Sequence, residues 1–214
     1  MPTAPATTRN MAPARQKLLD AALAVIREKG YVATTVDELC ARAGVAKGSF
    51  FHHFKDKEAL AVAAADYWSE TTGAFFAAAP YHTHKDPLDR VLGYIEFRRS
   101  ILMGKVPEFT CLVGTMVQEI YDTNPAIRNA CDASISAHAE KIEADIAAAM
   151  KLHGIRAKWT AESLALHTQA VLQGAFILAK AKNGAEIAVS SVDHLRRYIE
   201  LLFQPQTHRE RKGS

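Results

Sequence analysis

Residues Thr34–Phe54 read TTVDELCARAGVAKGSFFHHF. Thr35-Val36-Asp37-Glu38 has the order of a capping box, with the Thr35 hydroxyl taking a free backbone N–H and Glu38 reaching back. Val36, Leu39, Cys40 and Ala43 then fall on one apolar face of a short helix. Gly44 supplies a left-handed turn, and Val45 plugs the angle before a second helix that starts near Lys47 and ends near Phe54. Two short helices joined this way are either a corner of an ordinary bundle or a helix-turn-helix, whose second helix can lie in a major groove. On the second reading Lys47, Gly48, Ser49 and His52 face outward while Phe50 and Phe54 pack inward. Gly48 lets the backbone approach DNA closely, Ser49 and His52 can hydrogen-bond, and Lys47 is a donor to phosphate or guanine.

The rest of the chain repeats at helical spacing and predicts an all-α fold of about nine helices. Upstream, Leu18, Leu19, Ala22, Val25 and Ile26 form a stripe that ends at Lys29-Gly30. Downstream, Asp56-Lys57-Glu58 opens a long helix that stops before Pro80, and YHTHKDP reads as a loop. Helices follow from Pro87 to about Met103 and from Pro107 through Ile120. Asn124-Pro125 is a cap followed by a proline in the first turn, starting a helix that Gly154 ends. Helices over Thr160–Lys182 and Ser191–Phe203 complete the count. This gives a three-helix head (14–60), a larger helical bundle (61–203), a flexible N-terminal arm (1–13) and a basic tail (204–214).

Composition narrows the function classes. The chain has 214 residues, 49% of them hydrophobic, and a net charge of +3. That charge is too mild to mark a nucleic-acid binder by itself, but residues 1–60 carry nine Lys/Arg against six acids. The longest apolar segment, LALHTQAVLQGAFILAKA, is broken by His167, Gln169 and Gln173, so no membrane span is expected. Cys40, Cys111 and Cys131 are too few and too scattered for a disulfide framework, which fits a reduced, cytoplasmic setting. No HExxH, phosphate loop, nucleophile elbow or paired carboxylates occurs, so neither an enzyme nor a metal or other cofactor is expected.

Residues 15–60 resemble the DNA-binding domain of the tetracycline-repressor (TetR) family. The resemblance rests on Lys29-Gly30-Tyr31, Thr34-Thr35, Ala43-Gly44-Val45, Lys47-Gly48-Ser49 and His53-Phe54, followed by Lys57-Glu58-Ala59-Leu60. Cys111–Ile120, CLVGTMVQEI, is similar to a Cys-Leu-x-Gly segment in some regulatory domains of that family. The resemblance implies a homodimer on a palindromic double-stranded operator, usually repressing transcription. It implies phosphate contacts from Thr35 and Lys57 and base or backbone contacts from Lys47, Ser49 and His52. Two departures stand out. Phe51 occupies a position that is usually tyrosine, removing a phosphate-binding hydroxyl, and Ala46 stands where a capping serine is frequent, a difference of about 1 kcal/mol.

A bundle of this size can enclose a small-molecule effector. Trp68, Phe97, Phe109, Met116, His138, Trp159, His167, Gln173 and Phe176 are candidate lining residues, each also a plausible core residue. Cys111, near a helix start, is a candidate thiol sensor of electrophiles or oxidants, or a small core residue. The last two helices carry more apolar surface than one core needs. Val171, Leu172, Ala175, Phe176, Leu195, Ile199 and Leu202 are expected to serve a two-fold dimer interface as well. A dimer that binds DNA without any ligand is the remaining alternative, favoured if the bundle has no cavity.

Overall fold

The structure is a computed structural model that describes residues 11–204. The N-terminal arm and basic tail lie outside the described residues apart from their inner ends. Ten α-helices are described, and no strand occurs among the described residues.

The head is α1 (Pro13–Lys29), α2 (Val36–Ala43) and α3 (Lys47–His53). Thr35 caps α2, its Oγ1 accepting from Glu38 N at 3.3 Å. The capping box is only half made: the Glu38 carboxylate pairs with Lys29 of α1 instead of turning back. An ion pair between helices has taken the place of a local bond. Gly44 is left-handed at φ 64°, as the corner requires. α3 has no side-chain cap at Ala46 and is held by its core face. Phe50 is fully buried, with Phe54 beside it at a ring separation of 5.8 Å. Truncating Phe50 would cost about 3–5 kcal/mol, more than a seven-residue helix supplies for itself.

α4 (Lys57–Ala77) starts with Asp56 Oδ1 accepting from Ala59 N at 2.7 Å. It runs about 30 Å out of the head and into the bundle. The expected loop after it contains a 3₁₀ turn at Pro80–Thr83, which buries Tyr81. Then come α5 (Pro87–Ser100), α6 (Val106–Phe109), α7 (Leu112–Ile120) and α8 (Pro125–Leu152). The single segment expected from Pro107 to Ile120 is two helices, broken where Thr110 and Cys111 are extended and Cys111 Sγ accepts from Gly114 N at 3.4 Å.

α9 (Ala161–Lys182) opens on a reciprocal Thr160–Ser163 cap and closes at left-handed Asn183. α10 (Glu186–Phe203) begins five residues before Ser191, because the turn at Asn183-Gly184 is short and the chain re-enters a helix at once, burying Ala188.

Two groups of buried side chains fill the molecule. The lower one joins the head to Ala61, Ala64 and Ala65 of α4, to Leu112, Val113, Met116 and Ile120 of α7, and to Ile127 and Cys131 of α8. The upper one lies among α4, α5, α8, α9 and α10. α7 therefore packs as part of the head's floor, although it is distant in sequence.

Candidate nucleic-acid interface and internal cavities

The exposed edge of the head is α3. Lys47, Gly48, Phe51 and His52 are exposed, and Ser49 is half-buried. A side chain at Gly48 would meet nothing within 4 Å, so this edge is open to an approaching backbone. Phe51 is 53% exposed, with only an edge contact to Phe50, an unusual state for a phenyl ring. Lys47 Nζ lies 2.7 Å from Asp37 Oδ1 at the α2–α3 corner. Arg42 grips Glu28 with two nitrogens, at 3.1 and 2.6 Å. Several head cations are thus partly neutralised internally.

Lys57 is turned inward. Its Nζ donates to the carbonyls of Tyr31 (3.0 Å) and Thr34 (2.9 Å), with Val32 O at 3.4 Å, and sits 4.3 Å from the centre of the Tyr31 ring. Burial holds its ammonium below the usual lysine range. In this position it ties α4 to the α1–α2 turn.

Cavities among the described residues of the bundle include the following three. The central one, about 60 Å³, is walled by Trp68, Arg98, Phe109, Thr110, Cys111, His138, Gln169, Gln173 and Phe176, among others. A second, about 180 Å³, shares Thr110, Cys111, Gln173 and Phe176 and reaches Glu119 and Lys180. A third, about 150 Å³, shares Phe76 and His138 and includes Tyr94. Tyr94 Oη and His138 Nε2 are 3.0 Å apart, and Gln169 Nε2 donates to Tyr94 Oη at 3.5 Å. Burial, with help from Arg98 and Lys141, pushes the His138 imidazole down to about 3, so it is neutral at physiological pH.

Of the lining residues expected from sequence, Trp68, Phe109, Cys111, His138, Gln173 and Phe176 meet at the central cavity. The other four are placed elsewhere. Met116 is fully buried in the lower core. Phe97 stacks with Phe75, Phe76 and Tyr81 outside these three cavities. Trp159 packs on Phe203. His167 is exposed on the far side of α9 against Tyr198, because two residues from Gln169 is more than half a turn of helix.

Sequence reasoning missed Arg98, Thr110 and Gln169. Gln169 was the most legible of them, four residues before Gln173 on the most apolar helix. Gly114 has a clear purpose: a Cβ there would lie 2.0 Å from Gln173 Oε1, so glycine lets the Gln173 side chain rest on the α7 backbone. Cys40 and Cys131 are core residues, and burial pushes the Cys131 thiol up to about 12. Among the described residues no three His, Cys, Asp or Glu gather as a metal site would require.

Comparison with known proteins settles the family. Residues 18–64 match the profile of bacterial regulatory proteins of the tetR family, and residues 87–195 match the tetracyclin repressor-like C-terminal domain. The second match alone covers half of the chain. This chain belongs to the TetR family. A TetR transcriptional regulator from Chloroflexus aurantiacus is 30% identical, with a TM-score of 0.76 over 87% of this chain and 94% of that one. A TetR-family regulator from Agrobacterium tumefaciens shares the fold at TM-score 0.77 and 18% identity, over 87% and 98% of the two chains. YvkB of Bacillus subtilis, an uncharacterized HTH-type regulator, is 32% identical over 43% of this chain and 50% of its own length. The first curated relatives are matched over only 19% to 50% of their lengths.

This TetR-family transcriptional regulator is all-helical, with its helix-turn-helix in the head. No helix among its described residues is long and apolar enough to cross a membrane. The dimer residues expected from sequence need correcting. Leu172, Ala175, Phe176, Leu195 and Ile199 are buried in the chain's own core and present no surface to a partner, whereas Val171 and Leu202 are half-buried. The large apolar side chains left exposed on the last two helices are Leu166, Ile177 and Leu178 of α9 and Tyr198 and Leu201 of α10.

Proposed function

We propose that this regulator is a cytoplasmic homodimeric repressor, released from a palindromic operator when a small molecule enters the central cavity. Residues 14–60 read DNA through Lys47, Gly48, Ser49, Phe51 and His52, with Thr35 at a phosphate. Residues 61–203 bind the effector and pair the subunits across Leu166, Ile177, Leu178, Tyr198 and Leu201. No catalytic step is assigned to it.

One observation carries this reading: the helix that walls the cavities also holds the head. Thr110, Cys111 and Gly114 border cavity space at the start of α7. At the other end of the same nine-residue helix, Glu119 Oε2 accepts from Val32 N in the α1–α2 turn at 2.9 Å. Asn124 Nδ2 donates to Glu58 Oε2 at 2.7 Å, and Arg27 Nη1 to Glu108 O at 3.3 Å, so α8 and α6 touch the head's base as well. A ligand that shifts Thr110 and Cys111 moves α7 as a unit and re-aims the head. The two recognition helices then miss half-sites one helical turn apart. A 100-fold weakening needs a coupling of about 2.7 kcal/mol. The cavities also count against a ligand-independent dimer.

The test is fluorescence anisotropy of labelled upstream DNA bound to the full chain, titrated with fractionated extract of the producing cell. Loss of anisotropy with some fraction is expected; if every fraction leaves the DNA bound, effector release is wrong.

A second reading is supported by Cys111, a lining residue of two cavities. Its thiol would add to the β-carbon of an activated alkene, forming a C–S bond while the thiol proton passes to the α-carbon. Intact-mass measurement with N-ethylmaleimide would show a single adduct lost in Cys111→Ser.

A further inference from the structure

Three arginines of α5 have different fates. Arg90 Nε donates to Asp145 Oδ1 at 2.7 Å, and Arg99 Nε to Asp193 Oδ1 at 2.7 Å. Arg98 has no ion pair among the described residues. Its guanidinium lies 5.1 Å from the Phe76 ring centre and 5.6 Å from that of Phe176, and its Nε is sealed from solvent with no hydrogen-bond partner. Thr110, 1% exposed, has an Oγ1 in the same state. Both residues line the central cavity, and no carboxylate among the described residues does so. Buried donors left unmade are costly, most of all on a charged group, and two of them in one cavity wall mark a missing acceptor.

The chemistry of that acceptor is constrained. Arg98 is half-buried and only its Nε is sealed, and the aromatic faces offset part of its charge but accept no N–H hydrogen bond of ordinary strength. An anion does both. Cys111 caps α7 in the same wall, so the positive end of that helix also lies at the cavity edge. Arg98 is the single formal charge in the wall, enough for a monoanion and too little for a phosphate dianion. A planar carboxylate matches the guanidinium fork, and its second oxygen can take the Thr110 hydroxyl. Trp68, Phe75, Phe109 and Ile135 supply an apolar part of the wall, while Thr72, Ser134, His138, Gln169 and Gln173 add neutral polar groups. A volume of about 60 Å³ gives room on the order of four to six water-sized sites, with more space beyond Thr110 and Gln173.

From this we infer that the central cavity binds a small monocarboxylate, its headgroup on Arg98 and Thr110 and its apolar tail among the aromatic rings. The inference rests on reading this cavity as the effector site and names the class of effector. It also gives the ligand leverage, since Thr110 immediately precedes the helix that holds the head.

The full chain is titrated calorimetrically with sodium butyrate and sodium benzoate, and with butyramide and benzamide as neutral matches. The acids are expected to bind on the order of 10- to 100-fold more tightly than the amides. Arg98→Gln should erase that preference and Arg98→Lys keep part of it, while Thr110→Val should weaken acids alone. Arg98 makes no side-chain hydrogen bond to another described residue, so these variants leave no orphaned protein partner among them. Equal binding of acid and amide, an unchanged acid affinity in Arg98→Gln, or no binding by either acid overturns the inference and leaves effector release standing. DNA retention is scored separately. An acid that binds through Arg98 while the DNA stays bound supports the carboxylate site and refutes release by it.

Discussion

Glu119 of α7 and Val32 of the α1–α2 turn are joined by a 2.9 Å hydrogen bond across 87 residues of sequence. The carboxylate fits because the neighbouring position is Gly30, where a Cβ would lie 1.9 Å from Glu119 Oε1. Gly30 is also at φ 91°, which disfavours a side chain on its own account. The bond is solvent-exposed, so removing it with Glu119→Ala should cost about 0.5–1.5 kcal/mol. Gly30→Ala should cost more in the wild-type background than in Glu119→Ala, where only backbone strain remains. Urea denaturation of the four proteins measures that difference, and additive losses would show that the two residues do not press on each other.

Lys57 holds three backbone carbonyls in the same turn. Lys57→Met should lower stability by about 1–3 kcal/mol, a fall of several degrees in Tm. A variant that melts like the wild type but binds DNA weakly would instead assign Lys57 to a phosphate, as family resemblance implies.

The neutral His138 makes stability depend on pH. Its folded pKa of about 3 lies below the ordinary 6.5. Between those values the unfolded chain binds the extra proton, so stability is lost as pH falls from about 6.5 towards 3. His138→Gln, which can still meet the Tyr94 hydroxyl, should flatten that part of the curve by a few kcal/mol. Chemical denaturation at pH 7 and pH 5 gives the comparison.

The exposed apolar face of α9 and α10 should be the dimer seam. Ile177→Glu combined with Leu201→Glu is expected to yield a folded monomer by sedimentation velocity, with unchanged helical circular dichroism. Dimers that persist would place the seam elsewhere.

The head was legible in the sequence because its signals are local. Thr35 caps, Gly44 turns, and Phe50 and Phe54 alternate inward, each decided within about four residues. The cavity was only half legible. Phe109, Cys111, Gln173 and Phe176 announce themselves by residue type, whereas Arg98 and Thr110 are recognisable only by the partners they lack, a tertiary property. The dimer residues were only partly legible for a related reason. α9 is apolar on nearly all sides, so periodicity could not tell the stripe facing its own core from the one facing out.

The central claim is that α3, doubled by symmetry, reads DNA. Hydroxyl-radical footprinting of the full chain on DNA upstream of its own gene tests it most directly, with Lys47→Ala/His52→Ala in parallel. Protection of two half-sites on one face of the duplex, centred about 34–36 Å apart or a multiple of that, is predicted. With about six phosphates neutralised per dimer, affinity should fall with salt at a log–log slope near −5, and the double variant should lose the footprint while staying folded. No footprint at any upstream sequence, or an identical footprint from the double variant, would contradict the account.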